Sequence, residues 1–208
     1  MTDSDTPELQ PHRDPARWDR VVESCGPESL LVVISGWIGS ALARSIAAED
    51  IWQETLMHAW RDRDKHDYRT MKSYRSWLLE IAKNRIRDAA DRAAAQKRGG
   101  GREAVEFSVL QADAQSLSGI LPGRSTTPSV IASFGERARL MTTALDELDE
   151  DSEAVVRAHL FEERPMTAVA AALGIAEATA WYRFRKGAEA YARVLARLEA
   201  LTPRPRED

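Results

Sequence analysis

The sequence predicts an all-α fold. Three observations carry that expectation. Apolar residues recur at three- and four-residue spacing through most of 16–92 and again through 140–198. No stretch alternates apolar with polar residues as a half-buried strand does. A Ser-, Gly- and Pro-rich stretch of weak periodicity, 103–133, separates the two periodic regions.

Helices are expected at 16–25, 29–46, 48–61 and 73–92. In the third, Ala48, Trp52, Thr55, Leu56 and Ala59 form the inward stripe. In the fourth the stripe is Tyr74, Trp77, Leu78, Ile81, Ala82 and Ile86, and Ser73 suits the N-cap. Between them, RDRDKHDYRTMK has no apolar period and reads as a loop. KRGGGRE then breaks the composition and opens a joint. A second module starts near Phe134, with Leu140, Met141, Ala144, Leu145 and Leu148 inward. After it, Ser152 can cap a helix carrying Val155, Val156, His159 and Leu160, which Pro165 ends. The resulting map is an acidic tail without order at 1–16, a helical domain at 17–95, a flexible linker at 96–133, a second helical domain at 134–200, and a tail at 201–208.

Composition narrows the function classes. The chain has 208 residues and a net charge of −4. Cys25 is its single cysteine, which excludes an internal disulfide and a Cys-rich metal site and fits a reducing cytoplasm. The acidic start has no basic n-region or apolar h-region, so no signal peptide is expected. The apolar run 30–38 is too short to span a bilayer. His12, His58, His66 and His159 are scattered, no nucleophile is paired with a base, and no Gly-rich loop follows a strand. The expectation is a protein without catalytic residues, metal or cofactor.

Charge is unevenly spread. Residues 1–28 and the run DELDEDSE at 146–153 are acidic. Residues 61–102 are basic, and so is the last helix, with Arg183, Arg185, Lys186, Arg193 and Arg197. Two basic segments in an acidic chain are two footprints for nucleic acid or two solvated faces.

Residues 166–186, MTAVAAALGIAEATAWYRFRK, distinguish these readings. A short helix with Val169, Ala170 and Leu173 inward meets Gly174, where a positive φ costs least. Ile175 plugs the core, and small Ala170 and Ala171 allow close approach. A longer helix follows from 176 to about 198, with Ala180, Phe184, Ala188, Tyr191, Leu195 and Leu198 inward. This is helix-turn-helix grammar, with an αα-hairpin as the plainer reading. The outward residues Glu177, Ala178, Thr179, Trp181, Tyr182, Arg183, Arg185 and Lys186 suit a helix in the major groove. Arg and Lys reach phosphate or guanine; Trp and Tyr reach thymine methyls or sugars.

The helix AEDIWQETLMHAW has a second organised face: Asp50, Gln53, Glu54 and Met57. Taken with a basic loop, SYRSWLLEIAKNRIRDAADR, a linker, ALDELDEDSEAVV and the helix-turn-helix, this order resembles the extracytoplasmic-function group of the sigma-70 family, bacterial initiation factors for RNA polymerase. The most specific parts are AED-x-x-QE and WL-x-x-IA-x-N-x-x-x-D.

The resemblance implies roles. The face Asp50, Gln53, Glu54 and Met57, with Trp60, docks on the clamp helices of the largest polymerase subunit. The loop and following helix recognise the minus-ten element and hold the melted non-template strand. The residues implied are Lys65, His66, Tyr68, Arg69, Lys72, Tyr74, Arg75, Lys83, Asn84 and Arg87, with Asn84 in a pocket for a flipped base. Trp77 shares a stripe with Leu78 and Ile81 and is expected in the core. The helix-turn-helix reads the minus-thirty-five element in duplex promoter DNA. An anti-sigma factor is a partner that the resemblance leaves open. The chain departs from the family at Ala168, where an acid is usual, and at Trp181 and Tyr182, where small or basic residues are usual. A stand-alone helix-turn-helix regulator with an N-terminal dimerisation or sensing domain is the competing expectation.

Overall fold

Helices account for every regular element among the described residues, 11–68, 70–97 and 125–202 of a computed structural model. The chain divides into two compact units, residues 1–135 and 136–208.

In the first unit, helix α1 (Pro15–Ser24) starts at Asp14, whose carboxylate accepts from the Ala16 N–H at 2.9 Å. Pro15 fits there because a first-turn proline forgoes no intrahelical bond. Helix α2 (Pro27–Leu42) follows Gly26, which sits at φ 66. The sequence predicted a helix to residue 46. It breaks instead at Gly39, where φ 67 and ψ 161 leave the helical region. Helix α3 (Ala48–Asp62) packs on α2 and on α4 (Met71–Lys97), and α2 also packs on α4. The core between them holds Trp18, Leu30, Leu31, Ile34, Ile51, Trp52, Leu56, Tyr74 and Leu78, all without solvent exposure.

Several boundaries differ from the sequence expectation. Part of the tail 1–16 is ordered: Pro11–Arg13 is a 3-10 turn, and His12 is buried. Residues 1–10 lie outside the described residues. Thr70 rather than Ser73 begins α4: the Thr70 Oγ1 accepts from the Ser73 N–H at 3.2 Å. Helix α4 continues five residues past the expected end, into the range read as linker. At the other side of that range, helix α5 (Pro128–Asp146) starts before Phe134. Ser125 and Thr126 are buried, and the Ser125 N–H donates to Asp19 of α1 at 2.7 Å. The intervening 98–124 lie outside the described residues.

In the second unit, helix α6 (Glu150–Val156) is capped by Asp149, not by Ser152. The Asp149 side chain accepts from the Ser152 N–H at 3.0 Å, and Ser152 itself is buried. A π-helical turn, Arg157–Phe161, continues it. Helix α7 (Met166–Leu173) ends at Gly174, φ 65, and the Ile175 N–H returns to the Ala170 carbonyl at 3.1 Å. Such a closure satisfies the orphan carbonyls of a helix end. Helix α8 (Glu177–Leu201) then crosses α6 and α7. Val155, Ala158, Met166, Val169, Ala170 and Ala180 form the core of this corner, with Ile175 and Phe184 packed against it. Leu160 and Leu173, expected inward, are exposed, because the π turn and the Gly174 turn rotate them out of the stripe.

No single described helix is long and apolar enough to cross a membrane.

Candidate functional site

Helix α3 carries the first candidate surface. Its inward face is Ile51, Trp52, Thr55, Leu56 and Ala59. On the other side Asp50 is exposed, while Gln53, Glu54, Met57 and Trp60 are half-buried. Asp50 has a local task as well: its carboxylate accepts from the Ala47 N–H at 3.1 Å and closes the helix start. Burial raises the pKa of the Glu54 carboxyl, and Arg92 and Arg85 of α4 oppose that shift. Trp60 is partly claimed by the fold. Its ring meets Trp18 edge-on at 5.2 Å, and the Arg63 guanidinium lies 3.8 Å above it.

Sequence reasoning missed His58 on this surface. Arg61 approaches its Nδ1 at 2.6 Å and Arg85 its Nε2 at 3.1 Å. A neutral imidazole accepts at one nitrogen only, so one guanidinium donates and the other is held by contact. Its spacing, four residues after Glu54 and three before Arg61, was the available signal.

The second candidate surface is the loop from α3 to α4 with the start of α4. Lys65 and Lys72 are exposed, and Lys65 pairs with Asp62 at 2.9 Å. His66 lies flat on Trp77, centroids 4.2 Å apart and planes 3° apart. Trp77 is therefore half-buried beneath a histidine rather than inside the core. Three of the expected strand contacts do not lie at the surface. Tyr74 is buried because it continues the Leu78–Ala82 stripe, and burial drives its phenol pKa far up. Tyr68 is 8% exposed and leans on Tyr74 at 4.7 Å. Arg75 turns inward, donating to the Cys25 carbonyl and, at 3.1 Å, to Ser29 Oγ. It ties α4 to the α1–α2 junction. Arg69 lies outside the described residues. Further along α4, Lys83, Asn84 and Arg87 are exposed together, with the Arg87 Nη1 donating to Asn84 Oδ1 at 3.0 Å. The Lys83 ammonium sits 4.9 Å from the Trp37 ring.

His12, His58 and His66 are all held below the ordinary pKa of 6.5, chiefly by burial. Burial disfavours the charged imidazole, so the unfolded chain takes up protons first as pH falls. Their contribution is fully present above 6.5 and is lost as pH falls through the folded values. Glu54 works the other way: its raised carboxyl costs stability at neutral pH, which is recovered on acidification. The thermal midpoint of the first unit is expected to fall between about pH 7.5 and about pH 5.5. Glutamine at the three histidines should flatten that slope. A wild-type midpoint constant over the range would contradict it.

The third surface is α8. Glu177, Ala178, Thr179, Trp181, Tyr182, Arg185 and Lys186 are exposed, with Trp181 at 42% and Tyr182 at 62%. Arg183 is half-buried and pairs with Asp151 at 2.7 Å, and Lys186 approaches Asp149 at 3.8 Å. Exposed pairs of this kind contribute little and yield readily to a phosphate. Trp181 is steered from both sides. Its indole N–H donates to Glu177 Oε1 at 3.3 Å, and its ring meets His159 edge-on at 5.3 Å. The His159 Nδ1 is 2.8 Å from the Arg164 carbonyl, which assigns the proton to that nitrogen and orients the ring. Trp181→Ala is expected to redistribute base-pair preference by about 1–3 kcal/mol at individual positions and to move the thermal midpoint little. A selection of duplex sites alongside a melting curve checks both. A large fall in midpoint with unchanged preference would make Trp181 a core residue.

Among the described residues, no group of three or more His, Cys, Asp and Glu is placed to hold a metal ion. No curated protein matches the chain. Residues 29–96, which span α3 and nearly all of α2 and α4, match the family model of sigma-70 region 2.

Proposed function

We propose that the chain is a sigma factor of the extracytoplasmic-function group, a non-enzymatic cytoplasmic subunit that joins core RNA polymerase and selects promoters. The match of 29–96 to sigma-70 region 2 carries this reading. The helix-turn-helix of α7 and α8 supports it, because it adds a duplex-reading module to the same chain. In this reading α3 docks on the clamp helices of the largest polymerase subunit through Asp50, Gln53, Glu54 and Met57. Half-burial of Gln53, Glu54 and Met57 suits an interface centre, where a soft apolar side chain lies among hydrogen-bonding ones. Lys65, Lys72, Lys83, Asn84 and Arg87 hold the melted non-template strand at the minus-ten element, with Asn84 beside a flipped base. Glu177, Trp181, Tyr182, Arg185 and Lys186 read the minus-thirty-five element; the two cations, two turns into α8, contact phosphate.

Core association tests the reading. Gln53→Ala and Glu54→Ala should each weaken it by about 1–2 kcal/mol if they lie at the interface centre. Helicity should be unchanged. A double variant that binds core polymerase as tightly as the wild type would remove α3 as the docking element.

A further inference from the structure

We propose that the turn Pro11–Arg13 is a strap whose imidazole, His12, occupies a nucleobase site in the loop between α3 and α4, and that it must leave before single-stranded DNA binds there. The inference rests on the strand-holding role proposed above for this loop.

His12 has no solvent exposure and is enclosed by rings. Its centroid lies 4.4 Å from Tyr68, 5.9 Å from Tyr74, 6.0 Å from His66 and 6.2 Å from Trp77. A flat aromatic heterocycle among aromatic side chains is the geometry by which proteins take an unstacked base. The polar edges of the recess are not matched to imidazole. His12 Nδ1, His66 Nε2 and the Tyr74 hydroxyl are all buried without a hydrogen-bond partner. A base, with donors and acceptors along its edge, has groups to meet them.

The strap is fastened to one loop only. His12 Nε2 donates to the His66 carbonyl at 2.9 Å, and Arg13 donates to the same carbonyl at 3.0 Å. Further ties are the Arg13–Asp67 ion pair at 2.7 Å, in which the Asp67 side chain is 80% exposed, and hydrogen bonds that join the His12 imidazole to the Arg63 backbone and the His12 backbone to Tyr68. Asp14 caps α1 with its own carboxylate, so the strap can peel away without opening the helix behind it. These ties all end within residues 63–68, in the loop proposed to hold DNA. Release of the strap uncovers Tyr68, Tyr74 and Trp77 together.

The test measures binding of a short fluorescent single-stranded oligonucleotide to the full chain, to a chain lacking residues 1–13, and to full-length His12→Ala/Arg13→Ala. A strap closed nine-tenths of the time lowers apparent affinity about tenfold, so both variants should bind about tenfold more tightly. Their duplex affinity should stay at the wild-type value. His12→Phe, which keeps a ring in the recess, should stay near wild type for the single strand. Unchanged or weaker single-strand binding by both variants, or loss of the fold in both, would overturn the strap and make His12 a core residue. If those chains still opened promoters with core polymerase, the strand-holding role would survive that result. Failure of every chain to bind single strands and to form a bubble with polymerase would remove both.

Discussion

Gly187→Val is expected to destabilise the second unit. A Cβ at Gly187 would lie 2.8 Å from Val156 Cγ2, 3.0 Å from Ser152 Cβ and 3.3 Å from the Ser152 carbonyl oxygen. Neither neighbour can yield cheaply. Val156 is β-branched and held in one rotamer by its helix, and Ser152 is a buried residue bound to the Asp149 cap. Gly187→Ala gains roughly 1 kcal/mol in helix propensity, which offsets part of the overlap. Valine adds two methyl groups to the same contact and gives up some of that propensity. Overpacking of this kind costs about 1–3 kcal/mol and occasionally more. A domain of this size has roughly 5–15 kcal/mol in all. The valine variant should therefore lose a sizeable share of the unit's stability and unfold at a clearly lower denaturant concentration. Denaturant titration followed by hydrogen exchange of the α6 and α8 amides reads the unit selectively. A midpoint equal to wild type would mean that α6 and α8 do not cross at Gly187.

The second large effect is expected at Trp52. Its side chain has no solvent exposure and fills the core that α3 shares with α2 and α4. Truncation of a buried tryptophan to alanine costs about 3–5 kcal/mol in lost transfer energy and residual cavity. The residues proposed to dock lie on the opposite side of the same helix, so their positions depend on this anchor. Trp52→Ala should lower the thermal midpoint of the first unit sharply and weaken core association in proportion. Gln53→Ala/Glu54→Ala should weaken association at a nearly normal midpoint. The contrast between adjacent residues separates scaffold from contact. Equal midpoints for the two variants would contradict the assignment of inward and outward faces on α3.

The helical class and the stripes of α3 and α8 were legible because 3.6-residue periodicity survives in the sequence. Ile51 escaped the α3 stripe because it lies beside Trp52, and a stripe wide enough to face both α2 and α4 holds adjacent residues. The caps misled for a local reason. Ser73 and Ser152 both take part in caps, but as partners of Thr70 and Asp149 three residues earlier. Tyr74 belongs to an apolar stripe and to an aromatic, basic stretch at once, and spacing alone could not show that it is buried. His12 carried no signal in its own neighbourhood. Its recess is built by residues more than fifty positions away, such as His66, and spacing cannot report such a contact. Of the candidate sites, the exposed faces of α3, α4 and α8 were readable, while His58 with its two arginines required the pairing of α3 with α4.

The most direct test is transcription by core RNA polymerase from a genomic DNA library, with and without this chain. Transcripts are expected to start at a discrete set of promoters only when the chain is present, and to fall together with core association in Gln53→Ala/Glu54→Ala. Transcript starts unchanged by the chain, with tight binding of the chain alone to palindromic duplex sites, would contradict it.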